Sequence, residues 1–315
     1  MNYTEINGKQ VSQISLGTVQ LGMNYGIANK TGQPKTEQCL DMLECAVNNG
    51  ITAIDTAHEY GASEEVLGSF LRQYHGIKPF ITSKFMTKSP SGSSYNEIEC
   101  EIFSSVEESL NRLGINKLDC LLLHRASDIT AHGNYVELVL HKLLDKKYID
   151  IAGVSVYTGE EIDEMLKHDI YKAIQLPMNI LDRRLLKNGY IKKLNDKNIS
   201  IFVRSVFWQG LFFLDENNLP NPALAKYAKK PIEKLHRYAQ NEGMSTAELA
   251  IAYIRDIAGI TSLVLGSDTR QQVIQNIEYF KVKKISGNTL TLINNELSNV
   301  NIAEIMKALA LSKKQ

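Results

Sequence analysis

Eight short apolar runs, separated by stretches in which apolar residues recur every three or four positions, constrain this chain more than any other feature. The runs are Ile14–Thr18, Ile51–Asp55, Phe80–Lys84, Leu118–His124, Ile149–Ser155, Ala173–Leu176, Ile199–Ser205 and Thr261–Gly266. Each has the length and character of a strand buried on both faces, and the stretches between carry the period of an amphipathic helix. Ile98, Ile102, Val106, Leu110 and Leu113 show that period most cleanly. Alternation of strand and helix implies parallel pairing through crossovers, with helices outside the sheet. Such a sheet either opens into a doubly wound fold or closes on itself. An open nucleotide-binding sheet would carry G-x-G-x-x-G after its first strand; the segment there, LGTVQLGMNYG, has glycines at 17, 22 and 26 instead. The expected fold is therefore α/β, a (β/α)8 TIM barrel spanning residues 1–315 as one domain. Asn7-Gly8 favours a two-residue turn and predicts a hairpin over residues 3–12, with strands at 3–6 and 9–12. Residues 286–315 are expected to form a helical tail outside the barrel.

Composition excludes several function classes. Lys and Arg number 35 against 35 Asp and Glu, so the formal charge is zero and there is no electrostatic footprint for nucleic acid or an acidic membrane surface. No apolar run approaches the roughly 18–20 residues of a membrane span. Cys39, Cys45, Cys100 and Cys120 lack metal-ligand spacing and read as reduced thiols, so no metal is expected. The first residues, MNYTEINGKQ, lack the basic-then-apolar order of a secretory signal, and a cytoplasmic location is expected.

In a barrel of this kind, chemistry belongs at the C-terminal strand ends. The second, third and fourth runs end in Asp55, Lys84 and His124, and Tyr60 follows shortly after Asp55. Singly, each has a plain structural reading. Asp55 could cap a helix, Tyr60 could pack the rim, and His124 could be a hydrogen-bonded core histidine. Lys84 is harder to place, because burying an ammonium costs several kcal/mol unless a carboxylate pairs with it. Asp55 is the obvious partner. Together the four suggest a mechanism: a phenol, ordinarily with a pKa of about 10, becomes a usable acid beside a lysinium. A histidine nearby can orient a carbonyl oxygen or relay a proton. This is machinery for protonating a carbonyl oxygen while a hydride attacks the carbon, the hydride coming from a nicotinamide cofactor.

At these residues the chain resembles the aldo-keto reductase superfamily, over about Ile14 to Phe280. The carriers are Asp55-Thr-Ala-x-x-Tyr60-Gly61, Lys84 in ITSK and His124 in LLLH. The resemblance implies Tyr60 as general acid, Lys84 as its modulator, Asp55 as the partner of Lys84, and His124 as the carbonyl-positioning group. It also implies cofactor contacts at Gly17, Thr18, Asp55, Ser155, Gln175, Arg204, Ser205, Gln209, Gly210 and Leu211, and at Gly266, Ser267, Arg270, Gln272, Gln275 and Asn276. Two positions depart from the usual pattern: Val156 stands where an asparagine is common, and Arg204 where a tyrosine stacks under the nicotinamide. NADPH is the expected cofactor, with Arg270 a candidate for its 2′-phosphate. NADH is the alternative, since Asp268 would repel that phosphate, and Gly266 and Gln272 replace the lysine and arginine of some branches. Substrate-facing candidates are Tyr25, Tyr60, Phe85, His124 and Trp208, with Met178 and Phe207 also on the expected rim. They suggest a small aldehyde or ketone. Lys30, Lys35 and Lys88 keep a sugar or sugar-nucleotide carbonyl open. A cofactor-binding regulatory subunit on the same fold, as in potassium-channel β subunits, is the remaining alternative.

Overall fold

Side-chain alternation along each strand divides the barrel into an inside and an outside. The computed structural model describes residues 1–29 and 31–312, so Lys30 and the last three residues of the expected tail lie outside the described residues. After the hairpin of β1 (Tyr3–Ile6) and β2 (Lys9–Ser12) come eight barrel strands. They are β3 (Ile14–Gly17), β4 (Ala53–Asp55), β5 (Phe80–Phe85), β6 (Cys120–Leu123), β7 (Ala152–Ser155), β8 (Tyr171–Pro177), β9 (Ser200–Arg204) and β10 (Ser262–Gly266). They pair in parallel and close in the order β10-β3-β4-β5-β6-β7-β8-β9. The eight runs of the sequence thus become the eight staves of a (β/α)8 barrel.

One parity points inward: Ala53, Phe80, Cys120, Leu122, Ala173 and Phe202 form a small inner cluster. The other parity (Ile54, Ile81, Leu121, Leu123, Ile174, Ile201) packs against the helices in the large outer cluster. The hairpin closes the N-terminal end. Asn7 and Gly8 take φ of 48° and 79°, as a tight two-residue turn requires, and Ile6 and Val11 enter the inner cluster. Ser12 and Thr52 exchange backbone-to-hydroxyl hydrogen bonds of 2.9 Å each, fixing the hairpin to the chain entering β4. With that end plugged, the open mouth of the barrel is the opposite one.

The helices follow their local signals. The helix Tyr95–Leu113 starts at a Ser94/Glu97 capping box, ends at Gly114 with φ of 65°, and buries all five apolar positions read from its period. The stretch around Leu186, Tyr190 and Leu194 instead forms two short helices, Arg184–Lys187 and Tyr190–Asp196, because Gly189 sits between them at φ of 78°. The tail forms helices Gly287–Glu296 and Ile302–Ser312. Buried Arg183 anchors it, donating to Asn294 Oδ1 (2.8 Å) and the Leu297 carbonyl (2.7 Å). No helix among the described residues is long and apolar enough to cross a membrane.

Candidate active site

The inward parity that carries Ala53 into the barrel also carries Asp55, two residues later, to its mouth. The same step along β5 takes Phe80 and Thr82 to Lys84, and a further step past Leu122 takes β6 to His124. Lys84 is 1% exposed, and its Nζ donates to Asp55 Oδ2 at 2.7 Å and to the Thr56 carbonyl at 2.8 Å. The third ammonium proton faces the Tyr60 hydroxyl oxygen at 3.4 Å, so each donor of the buried ammonium has an acceptor. Burial pushes the Lys84 pKa down, but Asp55 and Tyr60 more than offset this and hold it above the ordinary lysine value. Gln175 Nε2 donates to the other carboxylate oxygen of Asp55 at 2.7 Å.

Tyr60 lies in the loop after β4, where two glycines let backbones meet. A Cβ on Gly22 would fall 1.7 Å from the Tyr60 carbonyl oxygen, and one on Gly61 (φ 55°) would fall 2.3 Å from the Gly22 carbonyl oxygen. Neither position tolerates a side chain without moving the Tyr60 loop. The His124 ring meets the Tyr60 ring edge-on, 5.6 Å between centroids. Burial, then the charges of Lys84 and Arg204, lower the His124 pKa to about 4, so the imidazole is neutral at physiological pH. Tyr25 is pushed up to about 12 by burial and by Tyr60.

From this corner a cleft of about 550 Å³ runs across the mouth. Asp55, Tyr60, His124 and Tyr25 line one end; Ser155, Gln175, Arg204 and Ser205 line the middle. Gly17, Thr18, Gln209 and Gly210 form its walls, and Gly266, Gln272, Gln275 and Asn276 line the far end. There the helix Arg270–Tyr279 begins, capped by Thr269, whose hydroxyl accepts from the Gln272 amide. A Cβ on Gly266 would fall 2.3 Å from the Gln20 side chain. Buried Oε1 atoms of Gln20 and Gln209, both cleft residues, and Nδ1 of His124 have no partner among the described residues. A long cleft with orphaned polar atoms fits an extended, polar ligand such as a nicotinamide dinucleotide. Among the described residues no cluster of His, Cys, Asp or Glu could hold a metal ion.

Several expected site residues stand elsewhere. Phe85 is 2% exposed and belongs to the outer cluster, because the alternation that turns Lys84 inward turns Phe85 towards the helices. Trp208 is 5% exposed: Trp208, Gln209 and Gly210 take φ of 47°, 60° and 91°, and this left-handed turn sends the indole into the core beside Phe212. Leu211 follows it inside, and Met178 is fully buried. Phe207 and Phe213 line the cleft instead, their rings 5.0 Å apart. Ser267 is buried and accepts from Asn276 Nδ2 at 3.2 Å. Arg270 is turned away from the cleft into an exposed ion pair with Asp41, Nη1 to Oδ1 2.9 Å.

Tyr157 and Asn29 emerge only from the fold. Tyr157 lies beneath Arg204, whose guanidinium carbon is 4.2 Å from the ring centroid, while Arg204 Nη2 donates to the Val156 carbonyl at 3.2 Å. Asp268 lines the far end; Asn29 Nδ2 donates to its Oδ1 at 3.2 Å. The Ile27 amide donates to the Gln209 carbonyl at 3.0 Å, joining the loops on either side of the cleft. Gly61, next to Tyr60, was the available sequence sign of the tight loop; nothing local marked Gly22 as its partner, nor Tyr157 or Asn29.

A closed eight-stranded parallel barrel with a polar cluster at its C-terminal mouth defines the class, and comparison with known proteins narrows it. The profile of the Aldo/keto reductase family matches residues 13–295, and the chain belongs to that family of oxidoreductases. It is similar to L-glyceraldehyde 3-phosphate reductase of Escherichia coli, 23% identical over 334 residues, covering 95% of this chain and 90% of that protein. It is also similar to the aldo-keto reductase YhdN of Bacillus subtilis, 26% identical over 294 residues and 85% of each chain. Among solved structures, an aldo/keto reductase from Klebsiella pneumoniae in complex with NADP and acetate shares the fold, with a TM-score of 0.67, 19% identity, and coverage of 92% of this chain and 93% of that one.

Proposed function

We propose that this protein reduces the carbonyl of a small aldehyde or ketone to an alcohol, using a reduced nicotinamide dinucleotide. The observation that carries the reading is the buried Lys84 ammonium, held by Asp55 and directed at the Tyr60 hydroxyl. When bound, the dinucleotide supplies hydride to the carbonyl carbon. The Tyr60 hydroxyl gives its proton to the carbonyl oxygen, and the Lys84 ammonium stabilises the phenolate left behind. Asp55 keeps Lys84 charged and placed; Gln175 keeps Asp55 placed. His124, neutral at physiological pH, orients the carbonyl oxygen without competing as an acid. Ser155, Gln175 and Arg204 would hold the nicotinamide half, and Gly266, Gln272, Gln275 and Asn276 the adenosine half.

The family's name, the E. coli relative's aldehyde substrate and the NADP in the Klebsiella relative support this reading. The aromatic wall of Tyr25, Phe207 and Phe213 favours a small apolar aldehyde over a bulky charged sugar nucleotide. The cofactor expectation needs revision in one respect: with Arg270 committed to Asp41, the residue expected to hold a 2′-phosphate does not line the cleft. The four free cysteines accord with a cytoplasmic enzyme.

The test is aldehyde-dependent oxidation of the reduced cofactor, followed by its absorbance across an aldehyde and ketone panel. Tyr60→Phe should lower turnover by about 10²–10⁴-fold while cofactor binding survives. Unchanged turnover in that variant would remove Tyr60 from the proton-donor role. Cofactor binding without turnover on any carbonyl would favour a regulatory subunit.

A further inference from the structure

The far end of the cleft presents an acid to whatever lies there. Among the described cleft residues the Asp, Glu, Lys and Arg side chains are Asp55 and Arg204, towards the reaction end, and Asp268 at the other. A dinucleotide lying along the cleft must bring its nicotinamide to Tyr60 and His124, which leaves its adenosine half beside Asp268. NADPH differs from NADH by one group, a phosphate on the adenosine ribose 2′-oxygen. That group brings close to two negative charges and calls for a cation, whereas the free 2′-hydroxyl of NADH is a donor that a carboxylate accepts well.

The residues here favour the hydroxyl. Asp268 is fixed from both sides: its backbone amide donates to Gln272 Oε1 at 2.6 Å, and Asn29 Nδ2 donates to its Oδ1 at 3.2 Å. Asn29 is neutral, and among the described residues no cation forms an ion pair with Asp268. The cation nearest in sequence, Arg270, lies outside the cleft lining and pairs with Asp41 at the surface. Gly266 and Gln272, the neighbouring cleft residues, are neutral.

We infer that the cleft selects NADH over NADPH, and that Asp268 sets this preference by accepting from the ribose 2′-hydroxyl and repelling a 2′-phosphate. The inference rests on the proposed function, since it presumes that a nicotinamide dinucleotide occupies the cleft. Like charges a few ångströms apart at a partly exposed site give a discrimination of about tenfold or more.

The full-length protein is titrated separately with NADH and NADPH, reading intrinsic fluorescence and, independently, calorimetric heat. NADH should bind about tenfold more tightly or better. Asp268→Asn keeps the shape and removes the charge, and should shrink the ratio of the two dissociation constants several-fold by relieving NADPH. Gln272→Arg, a second variant that leaves Asp268 in place, should also shift the ratio towards NADPH. Tighter binding of NADPH by the unaltered protein overturns the selectivity and leaves the reductase reading standing. An NADH preference unmoved in both variants overturns the assignment to Asp268. Binding of neither dinucleotide overturns both this inference and the cofactor-dependent reading.

Discussion

The two ends of the cleft are built by different means. At the reaction end, Asp55, Lys84 and His124 stand at or just beyond the ends of adjacent strands, each placed by the alternation of its own strand and by parallel register. At the far end, Asp268, Gln272, Gln275 and Asn276 belong to a loop and the first turns of a helix, where Asp268 is held by one contact within the turn and one to the distant Asn29 loop. The first end is rigid because moving one group means sliding a strand in a closed barrel. The second is set by a few exchangeable contacts, so it is the end where one residue can change what is bound without touching the chemistry.

Substitutions should expose that difference, most strongly at the reaction end. Lys84→Met leaves the buried Asp55 carboxylate without its counter-charge and should cost about 3–5 kcal/mol of stability in urea denaturation. Adding Asp55→Asn to it should recover part of that loss. Equal destabilisation by Lys84→Met and by the double variant would mean that Asp55 and Lys84 do not act as a pair.

His124 should contribute a smaller, pH-dependent term. Its folded pKa lies near 4, against an ordinary value of about 6.5 for an unfolded chain. Between those values the unfolded chain binds a proton that the folded one does not. Stability is therefore full above about pH 6.5 and falls as pH drops towards 4, by about 1–3 kcal/mol. His124→Gln should flatten this part of the stability profile; an unchanged slope would place the acid sensitivity elsewhere.

The smallest effect belongs to the far end's outer surface. Arg270→Ala breaks an exposed ion pair worth about 0.2–1 kcal/mol, and should change NADH and NADPH affinities by less than about twofold each. A selective loss of NADPH binding would return Arg270 to the cleft and blur the contrast between its two ends.

The reaction end was largely legible in the sequence because strand alternation is local. Once Phe80–Lys84 is a strand and Lys84 faces inward, the same alternation turns Phe85 outward into the helix layer, against the expectation that it faces substrate. The loop at 207–213 was not legible in the same way. Three consecutive residues with positive φ, two of them not glycine, reverse the direction of Trp208, and no local propensity predicts that. Gly22 and Gly61 were visible as glycines, but their shared role, letting two backbones touch beneath Tyr60, depends on loops from different strands meeting.

The sequence by itself determined the period of each segment, hence strands, helices, the parallel alternation and the residues at the strand ends, because these follow from contacts within a few positions. Tertiary structure decided which of those residues meet. Asp55 and Lys84 are 29 positions apart, and Asn29 and Asp268 are 239 apart. Arg270 pairs with Asp41 rather than reaching the cleft, at a separation of 229. Such partnerships exist only after the barrel closes, when β10 pairs with β3 and brings the two ends of the strand sequence together. A charged side chain's role then depends on which counter-charge closure has put within its reach.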